Sequence, residues 1–177
     1  MFVVALLLAP SLAVAHPAPF SYLDLRIGKD VIDGTLVVHI IDAAHDLEIA
    51  SPERLLDRSV AAGNLDRLTA LVMQRLTLRG DAPLTIQWGD VATIPDRQAL
   101  ELHFRIHTAR PATLGIHAVM FPCDRLHQTF VNVYEDGRLR QQFVLSVDNP
   151  DRTTTRARRR ERSRSSRHSC PPAFTTS

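Results

Sequence analysis

Residues 99–107 alternate apolar and polar side chains. Leu100, Leu102, Phe104 and Ile106 fall on one side, and Glu101, His103, Arg105 and His107 on the other. A period of two puts one set on each face of a strand, whereas a helix would scatter both sets around its axis. The chain is therefore committed to a sheet with one buried face. The same period recurs over Ser21–Ile27, where Leu23, Leu25 and Ile27 oppose Tyr22, Asp24 and Arg26. Thr35–Ile41 is β-branched and largely apolar, which predicts a strand buried on both faces. Gly28-Lys29-Asp30 and Asp33-Gly34 carry turn chemistry. Further strands are predicted at Leu84–Trp88, Leu114–Phe121, Gln128–Tyr134 and Leu139–Val147, with a turn at Glu135-Asp136-Gly137. The expected fold is mainly β: an antiparallel β-sandwich of about seven strands.

The period changes once. Ser51-Pro52-Glu53 supplies a capping hydroxyl, a proline and an acid in the order that opens a helix. Leu65, Leu68, Leu71, Val72 and Leu76 follow at helical spacing within Asp57–Leu78, and Gly63-Asn64 breaks that stretch in two. Leu76 and Leu78 also alternate, so Gln74–Arg79 fits entry into the next strand equally well. A helical insertion near 52–76 is expected between the second and third strands.

Both ends differ from this body. Residues 2–15 form a short apolar run ending in Ala13-Val14-Ala15, followed by His16-Pro17. The run is shorter than the roughly 20 residues a membrane-spanning helix needs. Its Ala-x-Ala ending is what a signal peptidase accepts, although no Lys or Arg precedes it. Residues 1–15 are read as an export signal and residues 16–150 as the folded domain. Cleavage would make His16 the mature N-terminus in the periplasm; an uncleaved segment would tether the chain to the membrane.

Residues 151–177 hold eight arginines against Asp151 and Glu161, with dense Ser, Thr and Pro, which predicts a disordered tail. Such a composition also arises when a GC-rich reading frame is read out of register. Residues 1–150 carry 13 basic against 17 acidic side chains, so the body gives no warrant for a nucleic-acid partner. Two cysteines, Cys123 and Cys170, make no disulfide framework, and Cys123 is expected to be half-buried.

Eight histidines raise the question of metal binding. His16 would offer an imidazole and an α-amino nitrogen, a pair suited to Cu(II) or Ni(II). Asp42, His45 and Asp46 cluster after the second strand, and His127 lies in a later loop. Together they form a mixed nitrogen and oxygen set suited to nickel or zinc. The candidate metal residues are thus His16, Asp42, His45 and His127. The alternative is that His45 and Asp46 only cap and orient the helical insertion. His103 and His107 are about 13 Å apart along a strand, too far to share an ion, and His117 is expected on the adjacent strand. No nucleophile motif, zinc-protease motif, phosphate loop or C-x-x-C is present, so the expected role is non-enzymatic, with no small-molecule substrate.

Three blocks carry a resemblance. They are His16-Pro17-Ala18-Pro19-Phe20-Ser21-Tyr22-Leu23, residues 38–47 (Val38 to Leu47), and residues 126–137 (Leu126 to Gly137). Over roughly residues 16–148 the chain resembles the exported N-terminal domain of HupE/UreJ-type membrane proteins. The resemblance implies a periplasmic accessory domain, nickel handling, and either a membrane transporter partner or a membrane domain that this chain lacks. A truncated or frameshifted structural remnant without a ligand of its own is the competing expectation.

Overall fold

A computed structural model describes residues 20–155. The expected signal, His16, Cys170 and the tail beyond Thr155 lie outside the described residues. Among those described there are nine strands: β1 Phe20–Ile27, β2 Val31–His39, β3 Leu76–Arg79, β4 Gln87–Ile94, β5 Ala99–His107, β6 Thr113–Ala118, β7 Gln128–Glu135, β8 Arg138–Leu145 and β9 Asp151–Thr155. Between β2 and β3 come α1 Ile40–Asp46, a 3-10 turn at Pro52–Leu56, α2 Arg58–Gly63 and α3 Leu65–Arg75. The architecture is mainly β with a helical insertion, as expected.

Six strands form one sheet in the order β4-β5-β2-β1-β7-β8, and three form a second in the order β3-β6-β9. The large sheet is mixed rather than wholly antiparallel, because β1 runs parallel to β7 with Ser21 opposite Thr129 and Tyr22 opposite Phe130. One apolar core joins both sheets and the insertion. It includes Leu23, Leu36, Leu102 and Val131 from the large sheet, Leu78 and Ile116 from the small one, and Leu68 and Val72 from α3.

Several expectations are corrected. Asp33-Gly34 is no turn; it lies within β2, where a Cβ on Gly34 would come within 2.0–2.4 Å of the Phe104 ring. β2 alternates in burial and stops at His39, whose Nδ1 accepts a hydrogen bond from Ile41 N at 3.3 Å and caps α1. Thr35–Ile41 is therefore not a doubly buried strand, because its last two residues begin a helix. Ser51 makes no side-chain cap; Asp57 caps α2 instead, accepting from Ser59 N at 2.7 Å. Leu76 and Leu78 follow the strand alternative. Of the predicted strand Leu84–Trp88 only Gln87 and Trp88 fall in β4, which runs on to Ile94 with a break in register between Trp88 and Val91, around Gly89-Asp90. β6 ends at Ala118, so Phe121 is a loop residue. Cys123 is exposed.

His117 belongs to the small sheet, not to a strand beside His103, and its Nδ1 lies 3.0 Å from Asp151 Oδ1. The first five residues of the expected disordered tail are strand β9, paired to β6 with Thr154 buried. Three consecutive β-branched threonines at 153–155 suit a strand despite their polarity. The turn at Asp136-Gly137 does form. Both residues have positive φ (51° and 73°), the conformation that matches a two-residue hairpin to strand twist.

Candidate functional site

Two of the three resemblance blocks meet at one end of the large sheet. His39 starts α1 directly after β2, which places Asp42, His45 and Asp46 within one short helix. The loop before β7 is pinned by Asp124, whose Oδ1 accepts from Leu126 N at 2.9 Å and whose backbone carbonyl accepts from His127 N at 3.1 Å. This turns His127 inward, where it is 4% exposed.

His127 sits against the Phe121 ring, with centroids 4.7 Å apart. Its Nε2 lies 3.1 Å from Ser21 Oγ, and Ser21 Oγ lies 2.8 Å from Thr129 Oγ1. The parallel register of β1 and β7 sets Ser21 and Thr129 side by side. Nδ1 of His127 is buried without a hydrogen-bond partner, and Asp42 Oδ2 is 3.8 Å away. Burial pushes the imidazole down to a pKa of about 4, against the opposing pull of Asp124. It is neutral near pH 7. Burial also raises the Asp42 carboxyl, helped by the nearby charges of Asp124 and Asp46 and opposed by His39 and His45. Next to His127, Phe121, Asp124, Thr129 and Ser146 line a cavity of about 10 Å³, room for about one water.

Asp46 anchors the other side of α1. Its carboxylate pairs with Arg75 of α3, and His45 Nδ1 lies 3.0 Å away. Burial raises Asp46, but hydrogen bonds from His45 and Arg75 outweigh it and hold the carboxyl below its ordinary value. Arg75 also donates to the Met120 carbonyl at 2.7 Å and covers the Phe121 ring. The helix is thus tied to the loop that carries Phe121 and His127.

Of the predicted metal residues, Asp42 and His127 come together. His45 does not join them at this point: its side chain is 73% exposed and its Nδ1 is committed to Asp46. Among the described residues no group of three His, Cys, Asp or Glu side chains is placed to hold a metal ion. Two donors do not make a coordination shell, so the described residues do not fit a nickel, copper or zinc centre by themselves. Ser21, Thr129 and Arg75 were not legible as partners of this cluster, because the register of β1 on β7 and the packing of α3 bring them there.

The order of contacts from Ser21 to His127 to Asp42 is that of a hydrolytic triad. Ser21, however, is 0% exposed, and the adjoining space takes only a water. A nucleophile must be reached by its substrate, and this one is sealed.

Tyr22, one residue along β1, is exposed and stacks on Phe130 at 5.5 Å, while Phe20 meets the same ring edge-on at 5.1 Å. Arg26 lies over Tyr134 on the same outer face. An open groove of about 470 Å³ continues that face, lined by Asp33, Thr35, Gln87, His103 and Arg105. Compared with known proteins, the chain matches no family model and no curated protein.

Proposed function

We propose that this chain is a non-enzymatic accessory domain, exported to the periplasm, that works by binding a partner beside a membrane protein. The observation that carries this reading is the contrast across β1 and β7. The groups with catalytic potential, Ser21 and His127, are sealed, whereas the aromatic row of Phe20, Tyr22 and Phe130 lies on the outer face of the large sheet. The resemblance to the soluble part of HupE/UreJ-type proteins supports the same reading through residues 38–47 and 126–137, which meet at Asp42 and His127. Metal handling on this reading needs donors beyond those two, with a mature N-terminal His16 the leading source.

Two experiments test it. The full chain is expressed in a Gram-negative host, and the N-terminus of each cell fraction is sequenced. A periplasmic product beginning at His16, or an intact product in the membrane fraction, supports export; an intact product confined to the cytosol contradicts it. Calorimetric titration of the exported product with Ni(II), Cu(II) and Zn(II) tests the metal half, which is removed by the absence of binding tighter than millimolar.

A further inference from the structure

The two edges of the large sheet are not treated alike. β4 is interrupted at Gly89-Asp90, leads straight into a turn at Pro95, and has α2, α3 and the Pro52–Leu56 turn packed against it. These are devices that close an edge to further pairing. Apart from a bulge at Arg140, where its register with β7 shifts between Val133 and Tyr134, β8 has none of them along its outer side. It is eight residues long, contains no Pro, Gly or acidic residue, and keeps continuous register with β7 from Gln141 to Leu145. Among the described residues no strand pairs with that side. β9 comes near β8 through Arg152, whose guanidinium lies over the Phe143 ring, but β9 pairs with β6 instead.

An unpaired edge presents a row of backbone N–H and C=O groups that an extended chain can complete. The side chains select what can enter. Arg138 and Arg140 are both exposed and share no strand with an acid. Glu135, opposite Arg138 on β7, is buried. Leu139 and Val144 are exposed as well, and they lie opposite Tyr134 and Phe130 in the β7 pairing, on the aromatic outer face. A strand bearing carboxylates would neutralise the two arginines, and its apolar residues would extend the row of Leu139 and Val144. A basic strand would be repelled.

We propose that the outer edge of β8 docks an extended, acidic segment of a partner protein, which adds to the large sheet as a seventh strand. The assignment gives the interaction domain above its class of partner, and so rests on that reading; binding in vitro and export in cells are measured separately, so either can fail alone.

The probe is an eight-residue peptide alternating glutamate and valine, added to the full chain. Two controls accompany it: a lysine counterpart and a version with a central proline. Hydrogen exchange, resolved by residue, is the readout. The glutamate peptide is expected to slow exchange in β8 and leave β4 unchanged, with the lysine and proline peptides inactive. The variant Arg138→Glu/Arg140→Glu, with circular dichroism to check folding, is expected to lose roughly tenfold in affinity for the glutamate peptide and to gain the lysine peptide. Three results overturn the proposal. One is no protection of β8 at millimolar peptide. Another is equal binding of the proline version, which would mean charge attraction without strand pairing. The last is protection of β8 in the free chain that grows with protein concentration, which would put a second copy on the edge.

Discussion

Ser21 and Tyr22 are neighbours on one strand, each facing its counterpart on β7, yet they meet opposite environments. Ser21 and Thr129 point inward, bond to each other and are buried, and Ser21 also bonds to His127. Tyr22 and the half-buried Phe130 point outward and stack on the outer face of the sheet. One residue of register separates a sealed polar cluster from an accessible aromatic row. Chemical type therefore misleads on this domain: the serine and histidine that look reactive are buried, and the accessible outer face of β1 and β7 carries the stacked Tyr22 and Phe130.

The contrast can be broken on its inner side most severely. Leu23, on the same inward face as Ser21, is 0% exposed. Leu23→Ala is expected to cost about 2–5 kcal/mol through lost burial and the cavity left behind, read as a lower midpoint in urea or thermal unfolding. A pH-dependent loss, in the lower half of that range, should come from His127. Its folded pKa of about 4 lies below the ordinary histidine value of 6.5, so the unfolded chain binds a proton first as pH falls. Stability is fully present above about pH 6.5 and is lost progressively toward pH 4, by roughly 3 kcal/mol in all. Asp46, held low in the folded state, adds to the loss on acidification; Asp42, held high, opposes it. His127→Gln should flatten the stability curve between pH 6.5 and 4, and a curve identical to that of the parent chain would remove His127 as its source.

Ser21→Ala withdraws the hydroxyl shared by His127 and Thr129, and should cost about 1–2 kcal/mol by leaving buried polar atoms without partners. On the outer side, Tyr22→Ala should move stability by less than about 1 kcal/mol. If Tyr22→Ala proves as costly as Ser21→Ala, the outer row is part of the packing and the contrast fails.

Local pattern made the alternating strands legible. Leu100 to Ile106 and Leu23 to Ile27 face the core as their period requires. What was not legible depends on residues distant in sequence. Gly34 has turn composition, but it is a glycine inside a strand because the Phe104 ring occupies the space of a Cβ. The parallel pairing of β1 with β7 has no local signature, and it alone brings Ser21 to Thr129. β9 was hidden by its charge and hydroxyls, since one buried side chain, Thr154, gives no apolar period. At the candidate site, the nearness of Asp42 to His127 follows from their places just after the end of β2 and just before the start of β7. His45 was grouped with them by sequence distance, although the α1 helix pairs it with Asp46.

The ionisation and reactivity of the His127 imidazole test the sealed cluster most directly. A side-chain nuclear magnetic resonance titration of the folded chain, combined with a histidine-directed acylating reagent, reads both. His127 is expected to stay neutral down to about pH 4 and to remain unmodified until the chain unfolds, while the exposed His45 is acylated in the native state. Titration of His127 near the ordinary histidine value of 6.5, or acylation as fast as that of His45, would contradict this and reopen Ser21, His127 and Asp42 as an accessible site.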